Sequence, residues 1–237
     1  MQIKNRDDGY FILSALDPAL ERKIAVVHRF RRKAAALLFI LGAASAQAEV
    51  KPENTLTGAP ESVVTTCVAC HGVAGAGTAI GGARLAGKNP DYLAHALSMF
   101  KEGSRKSTIM QAVAQNLSDS EIHELATFFS DQHPPRAQGA HAPSAGLVIA
   151  GRQLTETGAG PDVPACFSCH AAGGKGNGAR FPSIAGEPAA FIVNRLHEFQ
   201  ERAKTTTLGP GTMTAVAAKM NEAQIQEAAA YLSLLEP

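Results

Sequence analysis

The run Cys67-Val68-Ala69-Cys70-His71 returns as Cys166-Phe167-Ser168-Cys169-His170, and both read C-x-x-C-H. These four cysteines are the only ones in the chain. Thiols three positions apart lie on one helical turn, where each can add across one vinyl group of a porphyrin. The adjacent imidazole is then held beneath the iron. A zinc site built from four thiolates would leave both trailing histidines without a role, and a thioredoxin-type redox pair needs no histidine at the same offset twice. The doubled motif therefore predicts two covalent haem c groups, attached through Cys67, Cys70, Cys166 and Cys169, with His71 and His170 as proximal iron ligands.

The repeat extends well beyond the motifs. At an offset of 99 residues Leu85-Ala86-Gly87 becomes Ile184-Ala185-Gly186, Tyr92-Leu93 becomes Phe191-Ile192, Leu97 becomes Leu196 and Phe100 becomes Phe199. Four extra residues around 205–211 then shift the offset to 103. That register pairs Met110-Gln111-Ala112-Val113-Ala114 with Met213-Thr214-Ala215-Val216-Ala217, Ile122 with Ile225 and Ala126 with Ala229. Two units follow, at 49–131 and 145–237, joined by a linker at 132–144 rich in Pro, Gly and Ala; residues 1–48 stand apart as an extension. In units this small an unaided apolar core is marginal, and aromatic residues make up only 5% of the chain, with no Trp. A buried porphyrin would supply the missing apolar mass.

Both units read as helical. Leu93, Leu97 and Phe100 form one stripe of a helix over 90–101, and Ile192, Leu196 and Phe199 repeat it. A terminal helix begins at Ser118, with Glu121 in a capping-box position, and its counterpart runs from about Asn221 to Leu235. Glu61 to Thr66 and Leu147 to Thr157 are expected as helical leads into the two motifs. The Gly-rich stretches 72–82 and 173–178 read as loops, and no strand alternation is present.

The first 48 residues look like an export signal. Arg29, Arg31, Arg32 and Lys33 precede the apolar run 34–44, and Ala46-Gln47-Ala48 supplies a small-residue cleavage site, so the mature chain is expected to start at Glu49. The apolar run is too short for a stable span, which predicts a periplasmic protein with no membrane span after cleavage. Residues 1–25 carry Asp7, Asp8, Asp17 and Glu21, unlike a signal n-region, which points to a true start near Val26 or Val27. Eight Lys/Arg and four Asp/Glu fall in the first 48 residues, leaving 14 and 17 of the totals of 22 and 21 for residues 49–237. The mature part is mildly acidic with no basic run, which argues against nucleic-acid binding and against a polybasic membrane patch.

Met110 and Met213 occupy the same point of the repeat, just before the terminal helix, and are the expected distal iron ligands. A neutral thioether favours ferrous iron and raises the potential. Met220 aligns with Leu117 and reads as core; Met99, His95 and His197 have no repeat equivalent. His123, His133 and His141 lie in polar or linker sequence and read as solvated.

On these residues, together with Phe181-Pro182-Ser183-Ile184-Ala185-Gly186 and Leu117-Ser118-Asp119, residues 55–237 resemble the diheme cytochrome c4 family. The resemblance implies an all-α protein of two tandem class I cytochrome c domains, each a small helical fold around one haem. It pairs His71 with Met110 and His170 with Met213. The chain departs from the family in having Ala83 where a proline is usual (Pro182 keeps it), Ala171 where Gly is common, and Ala96 and Arg195 where Gln is frequent. The function implied is single-electron transfer between redox partners of a respiratory chain, such as a quinol–cytochrome c reductase and a terminal oxidase or reductase. Two alternatives stand beside it: a cytochrome subunit of a dehydrogenase or reductase complex, and a diheme enzyme such as a thiosulfate dehydrogenase or a peroxidase. Cysteine ligation of an iron is excluded, because all four cysteines belong to the motifs.

Overall fold

The structure is a computed structural model that describes residues 61–139 and 141–237. The export signal, its cleavage site and the alternative start lie outside the described residues. The described chain is helical, and its only bridge pairing is an isolated antiparallel contact between Asn177 and Phe181. No described helix is long and apolar enough to cross a membrane.

The first unit contains α1 (Glu61–His71), a 3₁₀ turn (Val73–Gly75), α2 (Pro90–Lys101), α3 (Thr108–Ala114) and α4 (Asp119–Ser130). The second contains α5 (Ala145–Thr157) and then repeats this order as α6 (Phe167–His170), a 3₁₀ turn (Ala172–Gly174), α7 (Ala189–Ala203), α8 (Met213–Ala217) and α9 (Glu222–Leu232). Local chemistry explains the boundaries. Asn89 caps α2, accepting from the Tyr92 N–H, with Pro90 at the first helical position. Ser118 and Glu121 close a reciprocal capping box on α4, and Asn221 with Gln224 does the same on α9. α9 ends at Leu232, three residues short of the expected Leu235, and α1 continues through the whole first motif. The short helices α3 and α8 give no periodicity long enough to read from sequence. Each is started by a side-chain cap, Ser107 and Thr212 respectively.

The stripes meet as the repeat demands. Leu93, Leu117, Ile122, Leu125, Ala126 and Phe129 form the first core; Ile192, Met220, Ile225, Ala228, Ala229 and Leu232 fill the corresponding places in the second. Burying each of the large members contributes about 1.5–3 kcal/mol relative to exposure. Met220 is buried where Leu117 sits in the first unit.

The two units join through the segments that flank their Ala-Gly pairs, 84–88 and 183–187. Lys88 Nζ lies 2.6 Å from Glu187 Oε1 and donates to the Ser183 carbonyl at 2.7 Å. The other oxygen of Glu187 accepts the Arg84 N–H at 2.9 Å. Lys88 and Glu187 are 99 residues apart, as are Arg84 and Ser183, so the contact is a pseudo-twofold one made with opposite charges. All of Lys88, Glu187 and Arg84 are buried, and removing one partner of such a pair costs about 3–5 kcal/mol because a charge is left uncompensated. The Arg84 guanidinium reaches back to the Pro134 and Pro135 carbonyls, tying the linker to the same junction.

α5 crosses α9 at Gly151, where an added Cβ would run into the Glu227 carbonyl and lie 2.8 Å from Tyr231 Cβ. Gly151→Leu is therefore expected to destabilise the haem-loaded protein by about 1–3 kcal/mol through overpacking. Denaturant unfolding followed by far-UV circular dichroism checks this, and a midpoint equal to wild type would contradict it.

Candidate functional site

Each motif places its residues by helix geometry. Cys67, Cys70 and His71 occupy the last turn and a half of α1; Cys166 is the residue before α6, and Cys169 and His170 close it. None of the four cysteines is in a disulfide. Burial pushes the Cys67 thiol up, and it pushes Cys166 up to about 11, so both stay protonated near neutrality. Cys67, Cys70, Cys166 and Cys169 are thus available as free thiols, the form in which they would hold a haem through its two vinyl groups.

Both imidazoles are oriented the same way. His71 Nδ1 donates to the Ala83 carbonyl at 2.8 Å and His170 Nδ1 to the Pro182 carbonyl at 2.7 Å. With Nδ1 engaged as donor, Nε2 carries the free lone pair that a metal requires. His170 is held below the usual imidazole range, chiefly by burial; the bond to Pro182 opposes this and the nearby Lys88 cation adds to it. A neutral ring is the ligating form. Ala83 thus supplies the same carbonyl as Pro182 despite lacking the ring, because the acceptor is backbone and the loop holds it in place.

The methionines singled out from the repeat lie on α3 and α8. Met110 is in the first turn of α3, its N–H capped by Ser107 Oγ, and Met213 opens α8. Both are half-buried, and Met213 packs against the second core. The other candidates have different surroundings. His95, His123, His133 and His141 are exposed, and His197 pairs with Glu222.

A further group fits an anionic cofactor edge. Arg105 is 7% exposed, stacks 4.5 Å over Phe100, and its Nε has no hydrogen-bond partner. Arg195 of the second unit is close enough for the two cations to repel, which lowers the Arg195 guanidinium after burial has done so first. Haem carries two carboxylates, and a buried, unpartnered arginine is suited to one of them. The cysteine pairs, the carbonyl-fixed imidazoles and this arginine together fit haem c, which supplies an iron that cycles between two oxidation states. Sequence reading missed Arg105, Lys88 and Glu187. The signal for the last two was opposite charge at one repeat position.

Ala171, directly after His170, has φ 61° and ψ 168°, a region that suits glycine; its repeat equivalent Gly72 has φ 78°. Such a residue stores about 1–3 kcal/mol of strain. Ala171→Gly should raise the stability of the haem-loaded protein by about 1 kcal/mol, the released strain exceeding the added chain entropy. Chemical denaturation measures it, and destabilisation would contradict it.

Comparison with known proteins agrees with this construction. The family model for cytochrome C oxidase, cbb3-type, subunit III matches residues 57–129 and again 155–232. A thiosulfate dehydrogenase electron acceptor of Thiomonas intermedia (strain K12) is 33% identical over 184 residues, covering 77% of this chain and 83% of that protein. The Acidithiobacillus ferrooxidans cytochrome c4 structure superposes with a TM-score of 0.62 at 33% identity, over 72% of this chain and 99% of that one. The thiosulfate dehydrogenase of Marichromatium purpuratum, in its as-isolated form, gives a TM-score of 0.63 at 35% identity. There the match covers 71% of this chain but only 36% of that chain, so this protein spans about a third of its length. With two C-x-x-C-H helices, two carbonyl-fixed imidazoles and two matched domains, the chain belongs to the cytochrome c4-like diheme family and carries two covalently attached haem c groups.

Proposed function

We propose that the protein is a periplasmic one-electron carrier in which His71 and Met110 ligate one haem iron and His170 and Met213 the other. The observation that carries this reading is the repetition of one arrangement: an imidazole fixed through Nδ1 and a half-buried methionine near the start of a short capped helix, in both units. With both axial positions filled there is no open coordination site for substrate, so the chain's residues bind, orient and shield while electrons pass. The domains are taken as 49–131 and 145–237, with 132–144 as linker and 1–48 removed on export.

The partner favoured by the relatives is a thiosulfate-oxidising dehydrogenase as electron donor. One relative is named as the electron acceptor of such an enzyme, and a similar module occupies about a third of a thiosulfate dehydrogenase chain. A reductase or terminal oxidase then serves as the acceptor. Val73, Ile80 and Ile109 are exposed apolar residues, the first two on the loop after His71 and the third beside Met110. They offer a desolvatable rim around the first site for brief docking.

Four measurements test this. Mass spectrometry of the exported protein should show a chain from Glu49 plus two haem masses; acid-acetone-extractable haem would overturn the reading. Met110→Ala and Met213→Ala should each lower one potential and admit carbon monoxide at one iron, with wild type binding it poorly. If Met220→Ala opens the second iron and Met213→Ala does not, the second ligand is misassigned. Ile80→Lys should slow reduction by a thiosulfate dehydrogenase about tenfold, equivalent to about 1.4 kcal/mol of lost docking energy. Potentials should be unchanged in that variant. Steady turnover of thiosulfate by the purified protein alone would replace the carrier with an enzyme.

A further inference from the structure

The junction between the units lies directly behind both imidazoles, and its charges are not symmetric. The Ala83 carbonyl that accepts from His71 and the Arg84 N–H that donates to Glu187 belong to one peptide group. An anion at the N–H end of an amide polarises it and makes the carbonyl a stronger acceptor. His71 is then pulled toward imidazolate character, and a more basic imidazole stabilises the oxidised iron. On the other side the Lys88 ammonium donates to the Ser183 carbonyl, one residue past the Pro182 carbonyl that accepts from His170. A fixed cation there disfavours added positive charge and stabilises the reduced iron. Both ions are more than nine-tenths buried, so neither effect is screened as a surface charge would be.

We propose that Lys88 and Glu187 are positioning residues that separate the potentials of the two haems, lowering the site at His71 and raising the site at His170, so that an electron accepted by the first unit comes to rest on the second. The proposal rests on the ligand reading given above. Only an electron moves; no bond is made or broken and no proton is transferred. The repeat itself makes the device possible. A pseudo-twofold contact between identical residues would act equally on both sites, whereas Lys in one copy and Glu in the other turns the same geometry into a dipole aimed from one site to the other.

Two double variants of the haem-loaded protein test it by spectroelectrochemical titration, with NMR assigning each midpoint to its unit. Lys88→Met with Glu187→Gln removes both charges while keeping an acceptor for the Arg84 N–H. Lys88→Glu with Glu187→Lys keeps a buried ion pair and reverses it; by the pseudo-twofold relation the carboxylate then faces the Pro182–Ser183 peptide. Wild type should show the lower midpoint in the first unit. The neutral variant should reduce the equilibrium constant for sharing an electron between the sites about tenfold, equivalent to about 59 mV for one electron. The reversed variant should reduce it further, and the hyperfine-shifted Nδ1–H resonances of His71 and His170 should move in opposite directions. A constant within about twofold of wild type in both variants would overturn the proposal, because a merely structural pair leaves the potentials where they were. Failure of the ligand reading looks different: wild type itself would lack two haems or the long-wavelength methionine–iron(III) absorption band.

Discussion

The hydrogen bond from each motif histidine to a carbonyl twelve residues downstream is the contact on which the rest of each unit is arranged. It engages Nδ1 and leaves Nε2 as the free ring nitrogen, and it closes the Gly-rich loop that leads out of the motif. Further backbone bonds secure that loop: Gly77 N–H donates to the His71 carbonyl and Gly176 N–H to that of His170. In the first unit Leu85 and Ala86 both donate to Gly75, and in the second Ile184 and Ala185 both donate to Gly174. Identical wiring in two stretches of different sequence shows that the loop is set by the bond it must make. Ala83 and Pro182 are interchangeable there because the peptide oxygen, not the side chain, is the acceptor.

A second constraint follows from size. Each unit has an apolar core built largely from two helices, α2 with α4 and α7 with α9, and few aromatic rings. A bound haem would add its apolar ring to such a core, which would couple haem binding to folding. The buried orphan nitrogen of Arg105 belongs to the same logic, since a cation left without an anion inside a protein is costly unless a ligand supplies one.

Duplication allows the two sites to diverge without changing the fold. The cores exchange Leu93 for Ile192 and Leu117 for Met220 at nearly constant volume, substitutions that packing tolerates, whereas Leu125 and Phe129 give way to the smaller Ala228 and Leu232. At the junction the exchange of Lys88 for Glu187 has a different character. A self-complementary contact would bring like charges together in a buried place, and opposite charges at one repeat position resolve that conflict.

The sequence by itself determined the cofactor, its number and the helical class, because C-x-x-C-H names its chemistry through covalent spacing and the repeat doubled it. It also determined α2, α4 and their counterparts, whose long apolar stripes, with capping boxes on α4 and α9, are local signals. It left α3 and α8 unread, since helices of seven and five residues carry too little periodicity to register. Only the tertiary structure decided what stands behind the two imidazoles. Arg84, Lys88, Ser183 and Glu187 are spread over a hundred positions, and nothing local marks a buried lysine as the partner of a distant glutamate. The same holds for Gly151, an apparently weak helix residue until α9 is seen packed against it. Local physics fixes each element from its own residues, whereas charge pairing and close helix crossing depend on which surfaces the fold brings together.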